Sequence, residues 1–292
     1  MSVEALDAHL ATGTTQTCRC WRLSRQDGTA FGFTDHDANL EFDGTVFQAG
    51  TGLTASALSQ TTGLSVDNTE AVGALSDAAI TEADIFAGRY DGAQVEAWLV
   101  QWSDVENRAL QFRGSLGEIT RTNGGFSAEL RGLAEKLNVP TGRVYQHTCA
   151  AILGDGSCGL DLNQAAFTVE AACTATDGRR FSFDGVTSYA AHWFERGSLV
   201  VLSGSGAGLR EAIKTDRIDG ATRHVELWDQ LRAAVAPGDM VRLTAGCDKR
   251  MATCRAKFNN MLNFRGFPDI PGEDWQVAHP TRLSNRSGGS RR

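Results

Sequence analysis

Residues 197–228, GSLVVLSGSGAGLREAIKTDRIDGATRHVELW, decide between two folds. Leu199 to Leu202 reads as a strand that runs into glycines at 204, 206 and 208, which is how a dinucleotide-binding βαβ unit begins. That fingerprint needs glycine at its first, third and sixth positions, and the sixth here is Leu209. The residues that follow read as an extended hairpin rather than a helix, so the glycines make a β-turn and the fold is read as β.

The same pattern extends in both directions. Residues 167–245 form a block of short strands, among them FSFDGVTSY (181–189), LREAIKTDRID (209–219), TRHVELWDQL (222–231) and GDMVRLT (238–244), each bounded by Gly, Asp or Asn. Such spacing predicts a small barrel or sandwich. Upstream, CRCWRLSR (18–25), TAFGFTDHD (29–37), LEFDGTVFQA (40–49) and VEAWLVQW (95–102) read as strands, with a hairpin at FDG. So do ALQFRGSLGEITR (109–121) and GFSAELRG (125–132) around Asn123-Gly124-Gly125. Helices are few: TEADIFAGRY (81–90) with Thr81 as N-cap, LAEKLN (133–138) ended by Pro140, and Thr253 to Leu262.

The expected organisation is a mainly β chain with a few short helices. One or more barrel- or sandwich-like β domains occupy 1–140. A domain over 141–280 carries the β block at about 167–245 as an insert, and 281–292 is a flexible tail.

Seven cysteines, an odd number, argue against a disulfide framework and for metal binding, buried thiols or reactivity. Cys149 and Cys158 lie just before the β block, and Cys247 and Cys254 just after it, so the pairs are expected to meet at its base and anchor it. Closing the long loop between them is thermodynamically tolerable, because each doubling of loop length costs only about 0.6 kcal/mol more. Four thiolates suit zinc or an iron–sulfur cluster. The C-x₈-C and C-x₆-C separations are wider than a zinc knuckle, and a larger cluster tolerates them better. Lys249, Arg250, Arg255 and Lys257 near the second pair suit an anionic centre. The plainer alternatives are four unrelated buried cysteines or two late disulfides.

Other candidates are weaker. Cys18 and Cys20 share one face of a strand and read as small buried side chains, as does Cys173. Asp35-His36-Asp37 with Asn39 reads as a strand-end turn rather than an acid–base cluster. His147 stands two residues from Cys149, but nothing supplies the oxyanion context a cysteine hydrolase needs.

Net charge is −7; residues 247–292 carry nine Lys/Arg against four Asp/Glu, so they are +5 and the remainder is −12. An acidic body binds nucleic acid poorly without sequence-specific contacts. No run approaches the ~20 apolar residues of a membrane span. Glu4 and Asp7 stand where a secretory signal carries positive charge, which predicts folding in the cytoplasm.

Particular strings then matter: residues 32–75, SLGEITR with FSAELRGLAEKLN, YQHTCAAILGDGSC (145–158), and above all GCDKRMATCRAKFNNMLNFRGFP (246–268) followed by IPG. These resemble a family of tail hub, or baseplate, proteins of bacterial prophages and gene transfer agents, over about residues 18–280. The family is similar in role to the L-type tail-tip protein of lambdoid phages. The resemblance implies a structural tail protein in three copies around the tail axis. Its N-terminal domains would sit beneath the distal-tail ring, and its C-terminal part would join a larger receptor-side tip protein. DNA would pass through without specific binding, and the protein would leave the cell in a phage-like particle. It also implies a 4Fe-4S cluster on Cys149, Cys158, Cys247 and Cys254, with zinc as the alternative. A flavin or iron–sulfur redox enzyme is the competing function, and the failed glycine fingerprint gives the flavin no support.

Overall fold

The computed structural model describes residues 3–50, 53–55, 68–74, 81–122, 125–132, 137, 142 and 144–270. Most of the expected LAEKLN helix, the Asn123-Gly124 turn and the C-terminal tail lie outside the described residues. The chain divides into two compact units, Met1–Pro140 and Thr141–Arg292.

In the first unit, strands β1 (Thr17–Ser24), β2 (Ala30–Thr34), β3 (Leu40–Phe42), β4 (Thr45–Gln48), β5 (Leu53–Ala55), β6 (Asn68–Ala74), β7 (Gln94–Gln101), β8 (Arg108–Thr122) and β9 (Gly125–Gly132) form one sheet. Its order is β3-β4-β2-β1-β7-β8-β9-β6-β5. All neighbours are antiparallel except β2 and β4, which run parallel. The β3–β4 hairpin turns at Asp43 and Gly44, both at positive φ (47° and 67°), the geometry that matches the strand twist and for which glycine is favoured.

Alternation puts apolar side chains on both faces of β1 and β7. Trp21 and Leu23 pair with Ala97 and Val95 and join Phe33, Tyr90, Phe112 and Leu130 in one core. Cys18 and Cys20 pair with Val100 and Trp98 on the other face and pack with Phe42 and Phe47. Both cysteines are buried, as expected of small core side chains. A short helix α1 (Val3–Leu10), which the sequence pattern did not announce, buries only Leu6. The second, α2 (Glu82–Phe86), starts at Thr81, whose hydroxyl accepts from the Asp84 amide (3.2 Å).

The second unit holds β10 (Thr168–Ala172), β11 (Ala175–Thr176), β12 (Arg180–Asp184), β13 (Ser198–Val201), β14 (Arg210–Asp219), β15 (Thr222–Leu227) and β16 (Met240–Thr244), in the order β10-β16-β13-β14-β15-β12-β11. Only Cys173 and Thr174 separate the two outermost strands, so the sheet curls round on itself. Inside lie Phe181, Phe183, Phe194, Leu199, Val201, Ile213, Val225, Leu227, Val241 and Leu243. The glycines at 204–208 turn β13 into strand β14 and no helix follows.

A bulge between Ile213 and Thr215 shifts the alternation of β14 and turns Asp216 inward beside Ile213. There it meets Arg223, which points inward from β15 with Val225 and Leu227; both charged side chains are fully buried. Arg223 Nη1 donates to both Asp216 oxygens at 2.6 Å, Nε donates to Val186 O (2.8 Å), and Nη2 donates to the Tyr189 carbonyl. The Phe194 amide donates to Asp216 (2.8 Å). The pair therefore pins the 186–194 loop to the barrel.

Helix α3 (Met251–Phe258) follows β16. It ends four residues before the expected Leu262, because Asn259 adopts the left-handed conformation (φ 47°) and reverses the chain into a 3-10 turn at Met261–Asn263. Among the described residues no helix is long and apolar enough to cross a membrane.

Candidate metal centre

Cys149, Cys158, Cys247 and Cys254 line one cavity in the second unit, together with Lys249, Arg250, Phe258, Asn260 and Phe264. The segments that carry them are held by backbone pairing. Cys149 N donates to Lys249 O (2.8 Å), Ala150 N to Arg265 O (3.3 Å) and Phe267 N to Gln146 O (2.9 Å). Cys158 is placed by a turn around Asp155, whose carboxylate accepts from the amides of Cys158 (2.6 Å), Ser157 (3.0 Å) and Ile152 (2.9 Å). Those amides hold the Asp155 carboxyl below its usual range. Cys247 follows Gly246, where a Cβ would fall 1.8 Å from Glu195 O, so only glycine lets the chain leave β16 at this angle. Cys254 rides on α3.

Three of the sulfurs accept hydrogen bonds from N–H groups: Cys247 from the Lys249 amide (3.4 Å), Cys149 from the Arg265 amide (3.3 Å) and Cys158 from Asn260 Nδ2 (3.5 Å). The fourth, Cys254, donates its thiol proton to Asn260 O (3.3 Å). Burial pushes the Cys247 thiol up, with Asp248 and Cys149 adding to the rise against the Lys249 amide and charge. Cys254 is also raised, first by burial and then by the proximity of Cys247, Cys149 and Cys158. The neighbouring sulfurs thus oppose ionisation of Cys247 and Cys254, and a cation between them would reverse that preference.

The charged side chains that line the cavity are positive, with Asp155 and Asp248 close by. Lys249 and Arg250 line the cavity, and Lys249 Nζ donates to the Ala151 carbonyl. Lys257 is turned to the barrel, where it donates to the Trp193 carbonyl and to Gly246 O (2.7 Å) and lies 4.6 Å from the Trp193 ring centroid. Burial lowers its pKa. Arg255 is exposed.

The donor set, the N–H bonds to sulfur and the cationic rim suit a thiolate-bound metal group. Among the described residues, however, no three His, Cys, Asp or Glu side chains form a group able to hold a metal ion. The cavity gathers the four sulfurs, whereas one tetrahedral zinc requires all of them about 2.3 Å from a single point.

The other cysteines stand apart from this cavity. Cys18 and Cys20 are in the first unit's core, and Cys173 is buried in the barrel, its thiol donating to Ala175 O (3.2 Å). The Asp35–Asn39 segment is a turn: Asp35 accepts from the Arg19 amide (2.6 Å), and Asn39 accepts from the Ala49 amide (2.9 Å). His147 faces the Pro268 carbonyl (3.2 Å) rather than Cys149. Sequence reasoning missed Asn260, whose only signal was its place just after a helix-ending asparagine.

A family model described as "Baseplate hub protein, N-terminal attachment domain" matches residues 3–161, more than half of the chain. The chain belongs to the baseplate hub protein family. This hub protein also matches, over residues 192–274, a family described as phage conserved hypothetical protein BR0599. The first match includes Cys149 and Cys158, and the second includes Cys247 and Cys254. Among solved structures the hub protein is similar to a chain of the virion of native gene transfer agent (GTA) particle. The identity is 52%, covering 98% of this chain and 99% of that one, with a TM-score of 0.92. No curated protein matches.

Proposed function

We propose that this hub protein is a non-enzymatic structural part of a gene-transfer-agent-like tail, and that Cys149, Cys158, Cys247 and Cys254 hold a 4Fe-4S cluster that staples its second unit. In this reading three copies surround the channel. They join the distal-tail ring to a larger receptor-side tip protein, and DNA passes without specific contacts. Similarity to the virion chain over nearly the whole length supports the location in a released particle. The −12 charge outside residues 247–292 is compatible with a channel wall that DNA slides past.

One observation carries the cluster: four sulfurs from two segments, about ninety residues apart in sequence, face one cavity at the foot of the barrel. A cluster spreads its ligand positions over several irons, which suits sulfurs gathered round a space but not drawn to one point. When bound it supplies folding free energy, because the unfolded chain offers no preformed site.

The test is the visible spectrum and the iron and sulfide content of protein purified without oxygen. A bound chromophore with iron near four per chain is the result expected for such a cluster. Zinc alone, or no metal, would remove the cluster and leave the tail role to be judged by labelling the protein in intact particles.

A further inference from the structure

Asn260 lies where the two halves of the cysteine site meet. Its side-chain amide donates to Cys158 O (2.7 Å) and approaches Cys158 Sγ (3.5 Å), 102 residues away in sequence. Its backbone carbonyl accepts the Cys254 thiol (3.3 Å), and its backbone amide donates to Cys254 O (3.1 Å). Asn263 Nδ2 donates to Asn260 Oδ1 (2.8 Å), which fixes the amide so that its N–H end faces Cys158. The left-handed residue Asn259 swings Asn260 off the helix axis into this place.

Two of the other sulfurs take their N–H bonds from backbone, from Lys249 and Arg265. Those amides are part of the chain path and survive any substitution that keeps it. Asn260 is different, because its bond to Cys158 comes from a side chain, so one substitution can remove it and leave the helix and the four cysteines in place.

We infer that Asn260 is a positioning residue that ties Cys158 to Cys254 across the barrel insert. The tie holds the two segments whether or not a group is bound. Its bearing on a bound centre rests on the cluster reading above. An N–H directed at a ligating sulfur stabilises negative charge there and so favours the reduced cluster, one of the means by which proteins set cluster potentials. Asparagine suits the position because it offers a donor to Cys158 and an acceptor to Asn263 from one short, rigid group. Alanine offers neither, and aspartate keeps the shape and the acceptor while turning the donor into a second acceptor.

The experiment compares the full chain with Asn260→Ala and Asn260→Asp in two states. In metal-free, reduced protein, maleimide labelling of Cys158 is followed by mass spectrometry. Loss of one hydrogen bond is expected to raise its rate by up to about tenfold in Asn260→Ala, with labelling of Cys173 unchanged. In protein loaded without oxygen, the midpoint potential is expected to move negative in Asn260→Ala and further in Asn260→Asp, where a carboxylate replaces the donor.

A lowered melting temperature with wild-type Cys158 labelling would make Asn260 a structural residue only and overturn the inference. So would an unchanged potential in loaded protein. If the wild-type chain takes up no cluster, the cluster reading fails by itself and labelling alone decides: faster Cys158 labelling in both variants upholds the tie, and equal rates refute it.

Discussion

Replacing Asp216 by Asn keeps the shape of the side chain and removes its charge. In the structure Asp216 and Arg223 are both fully buried, and Arg223 Nη1 reaches both carboxylate oxygens at 2.6 Å. The variant leaves a guanidinium in the barrel with no counter-charge, and its remaining partners are neutral, the new amide oxygen and the carbonyls of Val186, Tyr189 and Ala190. Breaking a buried pair from one side costs about 3–5 kcal/mol. For a unit of about 150 residues, at roughly 3 °C per kcal/mol, that is a fall of about 10–15 °C in its melting temperature. Calorimetry of the full chain reads the shift directly. Asp216→Leu/Arg223→Met then separates charge from packing. Removing both partners abolishes the stranded charge but orphans the Val186 and Tyr189 carbonyls and the Phe194 amide, so the double variant should recover part of the loss, with about 2 kcal/mol of non-additivity. A fall of less than about 3 °C in Asp216→Asn, or additive single losses, would refute the claim that this pair pins the 186–194 loop.

Cys254→Ser should prevent metal loading and destabilise the second unit by several kcal/mol, on the order expected for loss of a structural metal site; metal analysis and a melt check it, and an unchanged Tm refutes it. Cys18→Ala, in a core of the first unit, should cost about 1 kcal/mol and leave metal content as it was; metal loss in that variant would mean that the ligand set is wrong. Burial raises the Glu96 carboxyl, but hydrogen bonds and charge from Arg22 and Arg113 outweigh it and hold the pKa below its usual 4.5. A depressed pKa contributes stability that is complete above about pH 4.5 and lost as pH falls through the folded value, so Glu96→Gln should melt with a shallower acid dependence than wild type. Stripping metal should raise hydrogen exchange in 144–160 and 247–267 and spare β13 and β16, and equal deprotection of those strands would count against a local staple.

Much of this architecture was legible because local signals and tertiary packing agree. Phe181 and Phe183 alternate with polar neighbours, and both are buried; FDG predicts a hairpin, and Asp43 and Gly44 turn there. The cysteine pairs bracket the strands in sequence, and the four sulfurs line one cavity. What stayed hidden depends on register or on exceptions to patterning. The parallel pairing of β2 with β4 joins strands that a hairpin rule would not join. Asp216 and Arg223 sit in polar runs, KTDRID and TRH, that carry no signal of an inward charge, and only the bulge in β14 turns the acid inward. Asn260 carries no pattern of its own, and its role follows from the reversal at Asn259.

The barrel core and the cysteine site form two hydrophobic clusters that share only Trp193 among the described residues, and that division is where the proposed staple would act. Fourteen buried residues from Cys173 to Leu243 form the barrel's core. The site rests on a much smaller cluster of Phe167, Ala245 and Phe258, with Leu153, Leu160, Leu162, Trp193 and Cys247 partly buried against it. The segment from 144 to 167 contains no helix or strand, so its polar backbone has little regular pairing of its own. It is held by a few main-chain bonds to 249–267, the Asp155 turn and Asn260. Such contacts contribute about 1 kcal/mol each, comparable with the entropy of ordering each residue, and so leave little margin. A group bridging all four sulfurs would bind the folded arrangement and not the unfolded chain, and so would add its stabilisation where the polypeptide supplies least.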